Sequence, residues 1–240
     1  MCLKCLDSFK PIVEPMCQIC GRPFVSAFAS HAGRPVCRLC RANFYSFDLA
    51  RSFAVYDEAL TSAILLLKYD QVTRLGDWFA ARLADLVLRT PEQWQFDVIV
   101  PVPLHPDRKR ERGYNQAELI ARPLAKRLAK KLSCDILTRT KPRPPQLVLS
   151  RSEHWKSVRG AYSIRGGAKV DKLRVLLVDD VLTTGATLNA CARALKQAGA
   201  VAVMGLTVGR VTGGDPHSQP VAEPTHDKGN TGDRDELQHP

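Results

Sequence analysis

Residues 175–188 read Val-Leu-Leu-Val-Asp-Asp-Val-Leu-Thr-Thr-Gly-Ala-Thr-Leu. The apolar run predicts a buried strand at 175–178 that ends at two adjacent carboxylates, Asp179 and Asp180. A turn of small and hydroxylated residues then leads into a predicted helix. Because open parallel sheets bind ligands just beyond the carboxyl ends of their strands, this stretch predicts a ligand site.

The turn after the carboxylates has the composition of a phosphate-binding loop. Backbone N–H groups and hydroxyls would meet there at a helix N-terminus, an arrangement that binds a phosphate dianion. A glycine in such a turn has no Cβ to block the approach of the backbone to phosphate oxygens. The predicted contact residues are Thr183, Thr184, Gly185, Ala186 and Thr187.

The two aspartates indicate that the ligand carries more than phosphate, because carboxylates repel a phosphate group. Carboxylates accept hydrogen bonds from sugar hydroxyls and attract Mg²⁺. Loop and carboxylates together therefore indicate a sugar phosphate. The sequence has no G-x-x-x-x-G-K-[ST] stretch, which argues against a Walker-type nucleotide site.

Strand and helix patterns alternate outward from this stretch, which predicts a parallel α/β sheet. The predicted strands are 52–56, 96–102, 175–178 and 201–208, and the predicted helices are 57–69, 75–88, 115–132 and 187–197, the last closed by Gly199. Pro123 interrupts the third helix, which either kinks there or begins there. The segment 138–159, basic and proline-bearing, is ill suited to regular structure.

The positive charge of the chain is concentrated in one region. The whole chain carries 35 basic and 24 acidic residues, and residues 101–165 alone carry 16 and 5, so this region holds an excess equal to the total of +11. Such a concentration suits a polyanion: a pyrophosphate, a nucleotide or a nucleic-acid backbone. A solvated helix face rich in Lys and Arg accounts for part of it.

The apolar runs of the chain fall short of the roughly 20 residues that cross a bilayer. The N-terminus also lacks the apolar region of a secretory signal. These features predict a cytoplasmic protein without membrane insertion. The polar tail 211–240 is expected to be disordered.

Six of the eight cysteines form C-x-x-C pairs, which in a reducing compartment favours metal binding over disulfides. Two pairs are separated by sixteen residues, the spacing of a structural four-thiolate zinc site. That site would consist of Cys17, Cys20, Cys37 and Cys40. The alternative set Cys2, Cys5, Cys17 and Cys20 also has workable spacing, and His31 could substitute as a ligand.

The stretch 175–188 resembles the phosphoribosyl-pyrophosphate (PRPP) binding motif of type I phosphoribosyltransferases. The resemblance implies that Asp179 and Asp180, the expected catalytic pair, contact the ribose hydroxyls and that residues 183–187 bind the 5-phosphate. It also implies Mg²⁺ bound together with PRPP.

Further blocks resemble the ComF family of competence-related proteins over roughly residues 1–210. They comprise the cysteine pairs and residues 63–69, 100–106, 112–119, 144–146, 149–151 and 158–162. The resemblance implies a type I phosphoribosyltransferase-like parallel sheet flanked by helices at 51–210, preceded by a small cysteine-rich zinc module at 1–44.

The same resemblance makes Arg108 and Arg112, with the neighbouring Lys109 and Arg110, candidate pyrophosphate contacts. Arg151 and Arg159 would contact pyrophosphate from a mobile cover at 139–159, which also carries Arg139, Lys141 and Arg143. Ser157 departs from the family, which usually has Asn there.

Two functions follow from the resemblance. One is a Mg²⁺-dependent phosphoribosyltransferase with an unknown acceptor. The other is a non-catalytic accessory factor for DNA uptake, which binds single-stranded DNA, a helicase partner or other competence-machinery proteins.

Overall fold

A computed structural model of the chain describes residues 2–24, 35–142 and 151–212, with the backbone alone for Leu3 and Arg151. The strands are β1 Leu49–Val55, β2 Val98–Pro101, β3 Lys131–Leu132, β4 Leu137–Arg139, β5 Tyr162–Ile164, β6 Arg174–Leu182 and β7 Ala202–Arg210. The helices are α1 Leu3–Asp7, α2 Arg38–Arg41, α3 Glu58–Tyr69, α4 Arg74–Arg89, α5 Pro106–Arg112, α6 Gln116–Arg127, α7 Arg151–Val158 and α8 Ala186–Gln197.

The central sheet has five strands in the order β1-β7-β6-β2-β3, and every neighbouring pair is parallel. Strand β6, which carries the aspartates, lies in the middle. Strands β4 and β5 form a separate antiparallel pair. The predicted α/β class, a parallel sheet flanked by helices, is therefore confirmed.

Successive residues of β6 point to opposite faces of the sheet, and both faces are covered. Leu176 and Val178 pack in a core with α3, α4 and α6. Val175 and Leu177 pack in a second core with α8, the β4–β5 pair and the N-terminal cysteines Cys17, Cys20 and Cys40. Burial on both faces explains why β6 begins as a continuous apolar run rather than an alternating one.

Helix α8 is fixed at both ends and packs directly on the sheet. It begins after Gly185 and ends at Gln197, and Gly199, which has a φ of +98°, closes it as predicted. The Gly199 and Ala200 N–H groups donate to the Lys196 and Leu195 carbonyls, a Schellman closure. A Cβ at Gly205 on β7 would lie 2.2 Å from Leu188 Cδ2, so the helix lies close against that strand.

The predicted strand at 175–178 is too short, because β6 continues through both aspartates to Leu182. Strand β7 pairs with it over this whole length, with Thr207 opposite Asp179 and Arg210 opposite Leu182. Backbone pairing thus carries the strand beyond the end of its apolar run.

The prediction for 115–132 is wrong at its end, because α6 stops at Arg127 and β3 follows. The helix begins at Gln116, capped by the Asn115 side chain, and runs through Pro123. A Cβ at Gly76 on α4 would lie 2.8 Å from the Leu119 carbonyl oxygen, whose i+4 donor Pro123 lacks. Close packing of α4 therefore covers the irregularity.

The segment 138–159 is more regular than predicted. Within it, α7 covers residues 151–158 and β4 reaches Arg139, while residues 143–150 lie outside the described part of the chain. The tail beyond residue 212 also lies outside it. Among the described helices, none combines the length and apolarity that a membrane span requires.

Candidate functional site

The parallel sheet brings the ends of β2, β6 and β7 to one edge, where β6 leads into the predicted phosphate loop. A small open cleft lies there. Its walls are formed by Asp179, Val181, Leu182, Thr183, Gly185, Thr187, Leu188 and Thr207. The structure therefore brings the first aspartate and three of the predicted loop residues to one cavity.

The two aspartates lie in different environments because they alternate across the strand. Asp180 is buried on the α3 face and forms an ion pair with the Lys68 ammonium from the last turn of α3. Burial by itself would raise the pKa of Asp180, but the Lys68 charge outweighs burial and lowers it. The same pairing raises the pKa of Lys68 against the effect of its own burial.

Asp179 faces the cleft on the α8 side of the sheet. Its Oδ1 accepts a hydrogen bond from the Asp180 N–H at 2.9 Å. Burial, followed by the Asp180 charge, raises the pKa of Asp179 well above its usual range. A half-buried carboxylate of this kind gains from hydroxyl donors that a ligand brings.

The loop after β6 turns into α8 through a glycine. Gly185, the residue before α8, has a φ of +82°, in the left-handed region. A Cβ at this position would lie 2.8 Å from Tyr45 Cε1. The N–H groups at the start of α8 and the helix dipole favour an anion at this end.

The loop is held by contacts from three parts of the chain. The Tyr45 hydroxyl donates to the Thr184 carbonyl at 3.1 Å. His154 Nδ1 on α7 lies 3.4 Å from Thr184 Oγ1. Tyr162 on β5 lies near the side chain of Thr187, and burial raises the pKa of Tyr162.

Among the described side chains, the predicted pyrophosphate contacts Arg108, Arg112 and Arg159 do not line the cleft. Arg108 is exposed on α5 and pairs with Glu111. Arg112 is half-buried, donates to Gln116 Oε1 and lies 5.0 Å from the centre of the Tyr69 ring, beside the end of α3. Arg159 is exposed, and the Arg151 side chain lies outside the described atoms.

Four cysteines form a second candidate site, as the spacing predicts. The Sγ atoms of Cys17, Cys20, Cys37 and Cys40 all lie within 4.8 Å of one another. The Cys20 and Cys37 sulfurs are 3.7 Å apart, close to the separation of about 3.8 Å that tetrahedral coordination at a Zn–S distance of about 2.3 Å requires. The cluster could therefore hold a metal ion.

The alternative ligand set is not assembled. Cys2, just before α1, and Cys5 on α1 are exposed, with their sulfurs 3.4 Å apart. Among the described residues, the four-cysteine cluster is the group of His, Cys, Asp and Glu side chains that could hold a metal. His31 lies outside those residues.

Hydrogen bonds and cations surround the cysteine cluster. Hydrogen bonding to Cys20 lowers the pKa of Cys17, and hydrogen bonding to Cys17 raises the pKa of Cys20. The Arg210 guanidinium, buried at the end of β7, donates to the Cys20 carbonyl at 2.6 Å and to Cys20 Sγ at 3.5 Å. Arg51 donates to the Gln18 and Ile19 carbonyls. These cations offset the negative charge of thiolates.

Sequence patterns did not identify Lys68, Tyr45, Tyr162 or Arg210 as parts of these sites. One feature of the sequence could have identified Lys68: it is a single cation at the end of a strongly apolar predicted helix. Tyr45 and Arg210 reach their sites only through tertiary packing, which local periodicity does not encode.

Comparison with known proteins identifies a matching family and several similar proteins. The family described as "Phosphoribosyl transferase domain" matches residues 115–222. Competence protein F of Haemophilus influenzae is 30% identical over 204 residues, which cover 83% of this chain and 85% of that protein. DNA utilization protein YhgH of Escherichia coli K12 is 30% identical over 193 residues, covering 79% and 82%. Competence protein ComFC of Bacillus subtilis is 26% identical over 214 residues, covering 84% and 80%. The similarity thus spans most of both chains in each comparison.

Proposed function

We infer the function of this chain from its family. The relatives show that the chain belongs to the ComF family of competence-related proteins and has a phosphoribosyltransferase-like domain. We propose that the cleft at the end of β6 binds PRPP together with Mg²⁺. We further propose that the protein acts in the cytoplasm in the use or uptake of DNA, as the names of its relatives suggest.

One observation carries the PRPP proposal. Asp179 and the loop that leads into α8 line the same cleft at the carboxyl edge of the sheet. An acceptor of hydroxyl hydrogen bonds and an anion cradle therefore adjoin each other, as a ribose 5-phosphate requires. The Lys68 ion pair offsets one of the two carboxylate charges beside the phosphate.

The family likeness suggests transfer of phosphoribose, with the residues in separate roles. In that reaction an acceptor bonds to the anomeric carbon and loses a proton to water, while the bond from that carbon to pyrophosphate breaks and its electron pair leaves on pyrophosphate. Asp179 would hold ribose hydroxyls, while Asp180 and Lys68 would fix the end of β6. Arg108, Arg112, Arg151 and Arg159 remain proposed pyrophosphate contacts, and bound Mg²⁺ would supply charge neutralisation.

We propose that the four-cysteine cluster binds Zn²⁺ and has a structural role. Four thiolates fill a tetrahedral zinc site and leave no open position for substrate. The cluster would then be the centre of a module at residues 1–44, followed by the phosphoribosyltransferase-like domain at 51–210.

A thermal-shift titration with Mg²⁺-PRPP tests the binding proposal. At a hundredfold excess over the dissociation constant, the midpoint of unfolding should rise by roughly 5–10 °C. Ribose 5-phosphate should act weakly and pyrophosphate more weakly still. An equal shift with all three ligands would indicate a general anion site and reject the proposal.

Pyrophosphate release separates transfer from binding. The protein is incubated with Mg²⁺-PRPP alone and with panels of nucleobases, amines and oligonucleotides. Release that requires one acceptor class and is lost in Asp179→Asn supports the enzyme. Binding without release in any mixture supports a non-catalytic protein.

A second candidate function, binding of single-stranded DNA, is favoured by the cations of α5. The side chains of Arg108 and Arg110 are 50% and 77% exposed. The test is fluorescence anisotropy with a labelled oligonucleotide, for which log affinity should fall with log salt by about 0.7 per phosphate contacted. Arg108→Ala/Arg110→Ala should weaken binding, while Arg89→Ala on α4 should not. Salt-independent affinity, or equal loss in both variants, would reject this surface.

A further inference from the structure

The segment that follows the cysteine cluster runs directly into the ligand loop. Helix α2 ends just after Cys40, and its end is closed by the Asn43 and Phe44 N–H groups, which donate to the Cys40 and Leu39 carbonyls. Asn43 has a φ of 51°, the left-handed conformation of a Schellman closure. The direction in which the chain leaves the cluster is therefore fixed.

Tyr45, two residues further on, contacts the loop with both its ring and its hydroxyl. Its ring stacks on Phe47, with 4.7 Å between the ring centres, and lies edge-on to Phe44. The ring lies where a side chain at Gly185 would be, and the hydroxyl bonds to the Thr184 carbonyl. Tyr45 thus covers the turn between β6 and α8, which is the proposed phosphate-binding loop.

The next residues join the same segment to α8 and the sheet. The Ser46 N–H donates to Asn189 Oδ1 at 2.6 Å, in the first half of α8. The Asp48 carboxylate bonds to the Lys196 ammonium at 2.6 Å and to the Val203 N–H at 2.8 Å. Residues 45–48 therefore hold the loop, the length of α8 and the start of β7 in one arrangement.

The other end of the cluster is also attached to the sheet near the cleft. Arg210, which bonds to the Cys20 carbonyl and sulfur, pairs in register with Leu182, a cleft residue. Contacts thus connect the cluster to the loop from both sides, through Tyr45 and through Arg210.

From these contacts we propose that Tyr45 is a positioning residue for the phosphate loop, and that metal in the four-cysteine cluster holds Tyr45 in place. Metal occupancy then sets the affinity of the cleft for its phosphorylated ligand, although the thiolates do not touch that ligand. This inference rests on the proposed PRPP site.

Two substitutions at Tyr45 test the link with the metal still bound. Tyr45→Phe keeps the ring and removes one hydrogen bond, so Mg²⁺-PRPP should bind about threefold to tenfold more weakly. Tyr45→Ala also removes the ring over Gly185 and should bind more weakly still. Metal content, measured by mass spectrometry, should stay at the wild-type value.

Tyr114→Phe is the matched control. It also removes a hydroxyl-to-carbonyl bond, from Tyr114 to Leu67 at 2.6 Å, but on the α3 side of the sheet. It should reduce stability and leave the dissociation constant unchanged. Wild-type affinity in both Tyr45 variants would overturn the proposal, and so would an equal loss of affinity in Tyr114→Phe.

Removal of the metal is the second test of the proposal. Protein is dialysed against a chelator and returned to Mg²⁺, and amide hydrogen exchange is followed at residues 183–187. In the wild type, metal depletion should speed amide exchange and weaken PRPP binding. In Tyr45→Ala, depletion should have little further effect on either quantity, because metal loss and the substitution act through the same contact. Equal effects of depletion in the two proteins would contradict the coupling.

Two outcomes separate this inference from the proposed function. If the wild type does not bind Mg²⁺-PRPP, the proposed function fails, while hydrogen exchange at 183–187 still tests the Tyr45 contact without ligand. If depleted protein unfolds, the metal-loaded Tyr45 variants decide the inference alone.

Discussion

At the scale of single residues, Asp179 and Asp180 show how one position along a strand decides the state of a carboxylate. Asp180 has an ammonium partner, whereas the Asp179 carboxylate accepts a backbone hydrogen bond and faces the cleft. The ionised form of Asp179 is therefore the less stable of the two in the folded protein. Ligand hydroxyls would relieve that cost, which links the local instability to binding.

Asp179→Asn should raise the free energy of unfolding at pH 8 by on the order of 1 kcal/mol, which is the usual cost of burying a polar group that is not fully hydrogen-bonded. The folded pKa of Asp179 is raised. Its ionisation therefore destabilises the fold above that pKa, and the effect disappears below the unfolded value of about 3.9. Urea unfolding at pH 8 and in acid, without PRPP, measures the difference.

Asp180→Asn is the matched control and should have the opposite sign. The folded pKa of Asp180 is lowered by Lys68. Its ionisation therefore stabilises the fold above the unfolded pKa, and this stability is lost as the pH falls through the folded pKa. If both substitutions destabilise the protein at pH 8, then ionisation of Asp179 does not destabilise the fold.

At the scale of elements, sequence patterns located the strands and helices but misjudged some of their ends. The apolar run of β6 stops at Val178, yet pairing with β7 carries the strand to Leu182. Periodicity reports which face a residue occupies, and it does not report where a neighbouring strand ends. Pro123 posed a similar problem, because its tolerance depends on Gly76 in another helix.

Gly76→Ala tests the contact between α4 and α6. Alanine gains about 1 kcal/mol in helix propensity, but its Cβ would lie 2.8 Å from the Leu119 carbonyl oxygen, where backbone must move. We expect a net loss of about 1–3 kcal/mol in the free energy of unfolding. Gly166→Ala, where a Cβ meets nothing within 4 Å, should change stability by less than about 0.5 kcal/mol. Greater stability in Gly76→Ala would contradict the packing.

At the scale of the whole molecule, the sequence predicted the α/β fold and the four cysteines that come together, because each depends on a compact local pattern. The loop lies within 175–188, and two C-x-x-C pairs define the cysteine cluster. The connection between the two sites could not be predicted, because Tyr45, Lys68 and Arg210 meet their partners through long-range packing. The β4–β5 pair was missed for the same reason.

Cys17→Ser should remove the metal from the cluster. One equivalent of zinc per chain is expected in the wild type and much less in the variant, measured by mass spectrometry. The midpoint of thermal unfolding should fall by several degrees, because structural zinc contributes directly to folding energy. Cys5→Ser, outside the cluster, should retain the metal. Unchanged zinc in Cys17→Ser would remove the four-cysteine assignment.

The central claim is that the cleft beside Asp179 binds PRPP, and calorimetric titration of Mg²⁺-PRPP tests it most directly. We predict saturable one-site binding to the wild type, weakened by about tenfold to a hundredfold in Asp179→Asn because hydrogen bonds to a charged group are lost. Asp85→Asn, exposed on α4, should bind as the wild type does. The binding enthalpy changes with temperature, so titration at two temperatures detects binding even if the enthalpy is zero at one of them. No binding heat at either temperature, or equal affinity in Asp179→Asn, would contradict the claim.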